Sequence, residues 1–410
     1  METPFRAFVG IDWATETHQI HVQAADGNAL GERAVPHSGV GLADLVSWLR
    51  EIGEPSEIGV AIEVPHGAVV ETLLEQGFVV FAINPKQLDR FRDRFSPAGA
   101  KDDRLDAMVL ASALRTDQHC FRALEVDDPL VIELREWSRM VDELQRERNG
   151  LTNRVREQLR RYFPQALSIT SDPGAPWFLA LLDKIPTPSA AHKVRPAQVA
   201  QLLKRHRIRK VDAATVIATL RSPSVTVAPG TEAAATAHLG VLAPRLLLIH
   251  EQIKMCTTRL DRLLDAMAQE DESGHEGEQR DVKILRSLPG VGRIVLATLL
   301  AEAAQPLRRR EYHALRTLSG VAPVTRRSGK RTIVIMRNAC HGRMRNAVYH
   351  WSRTAVQNDP VSRAAYASLR ARGHSHGRAL RTIGDRLLAV ACAMLRAQTD
   401  YDPALRKPAA

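Results

Sequence analysis

Cysteine is scarce: Cys120, Cys256, Cys340 and Cys392 are the only four in 410 residues, and no pair falls in a C-x-x-C or Cys/His zinc spacing. That excludes a disulfide framework and a structural zinc site. Long apolar runs are also wanting. None approaches the ~20 residues that cross a bilayer, and the first residues lack the basic-then-apolar pattern of a secretory signal, so an intracellular protein with no membrane partner is expected. Acid is short in one region only. Residues 281–410 hold 24 Lys and Arg against 7 Asp and Glu, a net +17, whereas residues 1–280 hold 33 against 39, a net −6. The last third therefore carries the whole positive excess, nearly all of it as arginine, whose planar fork suits phosphate. A solubilising charge explains the sign but not the segregation, and nucleic acid is the expected partner.

What is present reads as two or three domains with their own cores, on a length of 410 residues and 44% hydrophobic content. Ala7-Phe-Val-Gly-Ile-Asp12, a polar turn, and His18-Gln-Ile-His-Val22 alternate like a hairpin, with a further strand expected near Glu32–Val35. Helix 41–52, the strand 58–64, helix 68–76 and the strand 78–83 follow. Strands joined by helices at this spacing pair in parallel, and chemistry gathers at their carboxyl ends, where Asp12 and Glu63 lie. Downstream, Lys101-Asp-Asp-Arg-Leu-Asp-Ala107 opens a helix that puts Asp103 and Asp106 on one face; Asp102 and Asp106 share a face equally well. Two strand-end acids followed by two helical acids form the carboxylate set of a ribonuclease-H-like nuclease of the Holliday-junction-resolvase type. Such sites hold Mg²⁺ ions about 3.5–4 Å apart around a phosphodiester. The same fold hosts sugar kinases and actin-like ATPases, whose first phosphate loop Gly10–Thr15 loosely resembles, but no later Gly-rich adenosine loop follows.

Residues 129–163 read as one long helix, and Leu246, Ile249, Ile253, Cys256, Leu260, Leu263 and Met267 keep a heptad-like repeat after Pro244. These runs pair either as an antiparallel coiled coil within the chain or as a dimer seam. Between them, 164–243 reads as a helical insertion with helices at 176–185, 196–207 and 212–221 and a basic cluster at 204–210. An acidic link, Gln269–Asp281, precedes the last domain. There, Leu288-Pro-Gly290-Val-Gly292 lets backbone N–H groups face a phosphate at a helix start, or is a plain turn. Thr325-Arg326-Arg327-Ser328-Gly-Lys330-Arg331 sets a small hydroxyl among four cations, which favours an alkoxide beside a phosphate; a turn is the simpler reading. The remainder, 342–396, is helical, broken at Pro360 and near 373–377, and carries Arg343 and Arg345 on what reads as a DNA- or RNA-facing surface.

In this order Val9-Gly-Ile-Asp12, Ala61-Ile-Glu63, Lys101–Ala107, Leu288–Gly292, Leu318-Ser-Gly-Val-Ala-Pro323 and Arg327-Ser328-Gly329 resemble the DEDD-type insertion-sequence transposases, described as bridge-RNA-guided recombinases. The resemblance spans nearly the whole chain. It implies a ribonuclease-H-like (RuvC-like) α/β domain at 1–125, in which Asp12, Glu63, Asp103 and Asp106 bind Mg²⁺, with Mn²⁺ as substitute. It further implies coiled-coil helices with the insertion at 126–270, and a mainly helical transposase domain at 281–410. Ser328 is implied as the nucleophile of a covalent DNA link, in a composite site drawn from two chains of a dimer or tetramer. Arg326, Arg327, Lys330, Arg331, Arg343, Arg345, Gly290 and Gly292 are the expected nucleic-acid contacts. Double-stranded target and donor DNA, a noncoding guide RNA and a cytoplasmic, nucleoid-associated bacterial setting complete the expectation. Two other readings compete: an endonuclease using metal-activated water, and a non-catalytic nucleic-acid-binding protein.

Overall fold

Alternating apolar residues build a mixed sheet at the start of the chain. β1 (Ala7–Asp12), β2 (Thr17–Ala24) and β3 (Ala29–Pro36) run antiparallel in succession; after α1 (Gly39–Ile52), β4 (Ile58–Ile62) lies parallel to β1 on its other side. α2 (Ala68–Glu75) then leads to β5 (Val79–Ala82), parallel to β4, which gives the order β3-β2-β1-β4-β5. The computed structural model describes residues 5–95, 102–228, 230–269, 276–329 and 331–403. It divides into two compact units, Met1–Asp127 and Asp128–Ala410.

Strand residues of opposite parity feed two cores in the first unit, as the two-residue period of a strand requires. Val9, Ile11, Val60 and Ile62 pack with α1 and α2. Phe8, Ala61 and Phe81 pack with α3 (Pro85–Arg92) and α4 (Asp103–Asp117). Central strands covered on both faces explain why β1 and β4 read as continuous apolar runs. The mixed α/β sheet is consistent with the ribonuclease-H-like expectation.

Among its described residues, the second unit is helical apart from one hairpin. α5 (Pro129–Tyr162) and α10 (Thr231–Ala266) pack together, and the cross-pairs Glu133–Arg259 and Glu147–Arg245 run in opposite senses, so the helices are antiparallel within one chain. Between them lie α6 (Pro176–Lys184), α7 (Pro188–Lys193), α8 (Pro196–Arg205) and α9 (Ala213–Leu220). Three of these match the expected helices; α7 is additional. Thr187 caps it through its hydroxyl, and Pro188 starts it.

The far ends of α5 and α10 join these short helices in one core, through Leu151, Val155, Leu239 and Leu246. Their near ends, through Val131, Leu134, Leu260 and Leu263, belong instead to the core of the last domain. The expected linker 126–270 is thus shared between two cores rather than standing apart. Pro244 sits inside α10, where its ring removes the hydrogen bond that the Gly240 carbonyl would accept. Gly150 of α5 lies at the same level, beside the Glu147–Arg245 pair.

By length and composition α10 is apolar enough to cross a membrane, with a mean hydropathy of 1.3 over its best stretch. Leu239, Leu242, Leu246 and Ile249 face α5 and the insertion, whereas Val241, Leu247, Leu248 and Met255 are exposed, so burial accounts for only part of that composition.

Residues 270–275 of the expected acidic link lie outside the described residues, and α11 (Glu276–Ser287) begins just beyond them. α12 (Arg293–Glu302), α13 (Ala304–Arg308) and α14 (Tyr312–Leu318) follow, then the antiparallel strands β6 (Val324–Ser328) and β7 (Arg331–Ile335), and finally α15 (Gly342–Asn358), α16 (Pro360–Ala371) and α17 (His376–Ala397). The hairpin goes beyond the sequence reading, in which Ser328-Gly329 is only a turn.

Candidate active site

Small residues on one face of the sheet set the position of the acids. A Cβ built on Gly10 would lie 1.9 Å from the Ala107 carbonyl oxygen and 2.6 Å from the Ala111 nitrogen, so the backbone of α4 rests directly on β1. Gly10 and Asp12 share a face of the strand, and Ala61 and Glu63 share the corresponding face beside it. Ile11 pairs with Ile62, so Asp12 and Glu63 occupy the next level of adjacent parallel strands, about 4.8 Å apart by ordinary sheet spacing. Asp106, one residue before Ala107, is brought over the same end of the sheet.

The four acids differ in setting. Asp12 and Glu63 are half-buried, Asp103 is exposed, and Asp106 is only 2% exposed. Asp102, the alternative to Asp103, caps α4 by accepting a hydrogen bond from the Arg104 N–H. Both oxygens of Asp106 are held by Arg92, whose Nε donates at 2.6 Å and Nη2 at 2.8 Å. The hydrogen bond to Asp106 leads the causes that raise the Arg92 pKa above its usual value. Asp89 takes a third bond from Arg92, at 2.9 Å.

These carboxylates are the hard oxygen donors that Mg²⁺ takes, so the residues suit the ion in kind. Among the described residues, however, no three His, Cys, Asp or Glu side chains are gathered closely enough to hold a metal. Asp106 is committed to Arg92, a partner that sequence reasoning missed. The alternating Arg90, Arg92 and Arg94, opposite an acidic helix start, are the signal that was there to read.

Beside this end lies a second missed group. The Ala14 N–H donates to His18 Nδ1 at 3.2 Å, so His18 carries its proton on Nε2 and donates it to His37 Nδ1 at 2.8 Å. Burial, then the charge of His37, lowers the His18 pKa. The pair fixes the loop that leaves Asp12.

In the second unit, Ser328 sits at the tip of the β6–β7 hairpin, directly opposite Arg331 across a two-residue turn in which Gly329 has φ +54°. That left-handed conformation is what a short hairpin turn demands and glycine supplies. Ser328 shares a face with Arg326, two residues back, and Arg327 faces the other way. Arg326, Arg327, Ser328 and Arg331 are exposed, and none of these arginines has an acidic partner among the described residues. Lys330 lies outside the described residues. The β-branched run Thr332-Ile-Val-Ile335 after Ser-Gly was the sequence signal for this hairpin.

Of the expected nucleic-acid contacts, Arg343 is taken up inside the fold and Arg345 is held by one edge. Arg343, with 13% of its side chain exposed, binds Asp142 at 2.7 Å and Glu302 at 2.7 Å, and it also reaches Ser138. A long arginine stem reaches into a helix junction as readily as it faces solvent, and spacing does not separate the two. Arg345 binds Cys340 Sγ and, at 2.7 Å, the Asn338 carbonyl. Gly290 has φ +80°, and a Cβ there would lie 2.7 Å from the Ala355 nitrogen, so packing against α15 accounts for it. Gly292 is exposed at the N-cap of α12.

Residues 9–164 match the DEDD transposase family model named for IS110, and residues 282–367 match the model described as Transposase IS116/IS110/IS902 family. The chain is also 32% identical to the Mini-circle putative transposase for IS117 of Streptomyces coelicolor, across 98% of this chain and 96% of that protein. The chain belongs to the IS110 family of transposases. Within that family it is 59% identical over 209 residues to the Putative transposase y4uE of Sinorhizobium fredii, a match covering 50% of this chain and only 58% of that relative. It is 28% identical to the Insertion element IS116 uncharacterized 44.8 kDa protein of Streptomyces clavuligerus, over 97% of each. Every acid named above and the serine hairpin fall within the two segments that the IS110-family models match.

Proposed function

We propose that this IS110-family transposase cuts and rejoins DNA strands through a covalent serine intermediate, with Asp12, Glu63, Asp103 and Asp106 as ligands of Mg²⁺ and a structured noncoding RNA of the element choosing the sites. The observation that carries the reading is Ser328, exposed at the tip of a two-stranded ribbon, opposite Arg331 and on the face of Arg326. A two-stranded ribbon is one of the few elements that enter the major groove, and unpaired guanidiniums beside a hydroxyl bind the phosphate it would attack. Ser328 Oγ bonds to phosphorus, the ester bond to one sugar oxygen breaks, and that oxygen takes up the proton the serine gives up. The phosphodiester's energy is kept in the Ser–O–P link, so a second strand end reverses the step with no external energy source. Bound Mg²⁺ supplies neutralisation of charge on phosphoryl oxygens. For Asp106 to act as a ligand, the Arg92 guanidinium must leave it. The basic last third suits the backbone of a guide–target duplex, with sequence choice delegated to base pairing. Self-association as a dimer or tetramer belongs to the same reading.

The test is to purify the protein from cells carrying its flanking DNA, add Mg²⁺ and labelled duplex, and look for an adduct that survives denaturation. The wild type forms it, and Ser328→Ala, Asp12→Ala and Asp106→Ala do not. Cleaved ends without adduct, still dependent on Asp12 and Asp106, would replace this reading with a water-activated endonuclease.

A further inference from the structure

Beneath the base of the β6–β7 hairpin is a cavity of about 180 Å³, bounded by the end of α14, the residues after β7, and helices α15 and α17. Its wall is apolar where Val321, Val348 and Leu380 meet, and three guanidiniums, Arg337, Arg345 and Arg381, line it without any carboxylate. Each arginine carries five N–H donors in a planar fork. Arg337 commits Nε to the Ala322 carbonyl at 3.3 Å, and Arg345 commits Nε and Nη2 to Cys340 and Asn338, which holds both forks by one edge and leaves donors over. Arg381 has no acidic partner among the described residues, and its charged neighbour on α17 is another cation, Arg378. Three cations gathered around a half-closed apolar space are destabilising by themselves and complete only with an anion. Tyr349, exposed at the same cavity, adds a ring on which a base can stack.

We propose that this cavity binds one nucleotide unit of a nucleic-acid strand, its phosphate on Arg381, Arg345 and Arg337 and its nucleoside against Val348, Leu380 and Tyr349. The assignment rests on the strand-exchange reading above and places a second anchor on the substrate strand. From Val324 at the hairpin base to Ser328 at its tip is four residues, about 13 Å of strand. At about 3.4 Å of helix axis per nucleotide, the anchored unit is about four nucleotides from the phosphate that Ser328 would attack. Burial, then the charge of Arg378, lowers the Arg381 pKa, the direction of a cation lacking its counter-charge.

The experiment measures binding of the full chain to a fluorescent 30-nucleotide single strand and to the matching duplex across a salt series, and then crosslinking to 5-iodouracil placed along the strand. Arg381→Gln should weaken binding about tenfold and reduce the salt slope by about one phosphate contact, Arg381→Lys should keep the slope, and the crosslink should map to Tyr349. A slope and affinity unchanged in Arg381→Gln would overturn the site. So would competition by millimolar inorganic phosphate that removes only the Arg381-dependent part, since the cavity would then be a free-anion site. An absent serine adduct with the Arg381 effect intact would sink the strand-exchange reading and leave the nucleotide site standing. A normal adduct with no Arg381 effect would do the reverse.

Discussion

Replacing Gly10 by alanine tests how the acids are positioned. The new Cβ would stand 1.9 Å from the Ala107 oxygen, and ordinary contact begins at 3.4 Å, so α4 must retreat by 3.4 − 1.9 = 1.5 Å. Both neighbours are backbone, with no flexible side chain to yield. A gap of even 0.5–1 Å forfeits about a quarter to a half of the dispersion attraction, and Val109, Leu110, Ala113 and Leu114 all lose contact together. Overpacking costs about 1–3 kcal/mol, and rigid walls on both sides set the expectation at the upper end, near 3 kcal/mol. For a unit of this size that lowers the melting temperature by on the order of 10 °C. The same retreat carries Asp106 away from the end of β1, and a shift of about 1 Å can cost on the order of 100-fold in rate. Thermal unfolding followed by circular dichroism, together with the adduct assay, reads both effects. Gly39→Ala is the control, because nothing lies within 4 Å of the Cβ it would add. A Gly10→Ala protein with wild-type melting and wild-type adduct yield would refute the claim that this close approach places Asp106.

Two further expectations follow from buried charge. Glu302, with 4% of its side chain exposed, meets Arg139 at 3.1 Å, Arg343 at 2.7 Å and His341 at 3.6 Å; burial pushes its pKa up, and its hydrogen bond and charge pairing with Arg139, then the charges of Arg343 and His341, overcome that and hold it low. Glu302→Gln leaves two guanidiniums without their shared partner and should cost about 3–5 kcal/mol in urea unfolding of the full chain, a loss of under 1 kcal/mol being the contrary result. His18 has its pKa lowered in the fold, so the unfolded chain binds protons first. Its contribution to stability is complete above pH 6.5, the ordinary histidine value, and falls as the pH drops below it. Denaturation midpoints at pH 7.5, 6.5 and 5.5 should therefore decline more steeply for wild type than for His18→Asn, and equal slopes would remove the role given to the His18–His37 pair.

The sheet, with Asp12 and Glu63 at the ends of neighbouring parallel strands, was legible because strands buried on both faces write themselves as apolar runs ending in a polar residue. The long helices and three insertion helices were legible from their period and their prolines. The hairpin under Ser328 was not. Its residues are exposed on both faces, so no alternation marks it, and only the β-branched run after Ser-Gly betrays it. Arg343 was read as outward-facing because arginine density reports charge but not direction, and the acids that claim it, Asp142 and Glu302, are 201 and 41 residues away in sequence. Arg92 escaped for the same reason, its partner Asp106 being 14 residues on.

The paired helices α5 and α10 have a mechanical consequence. At about 1.5 Å per residue, the 34 residues of α5 make a rod about 50 Å long, anchored in a separate core at each end. Gly150 and Pro244 put the least stiff backbone of both helices at one level, about 20 Å from the insertion end. Contacts bridge that level, Arg148 to Asp172 and the His250 ring to the Gly174 carbonyl, and Leu246 and Ile249 beyond Pro244 pack into the insertion core, so the insertion and the rod are tied across it. A load carried on helices α6 to α9 is therefore passed along the paired helices toward the core of the last domain.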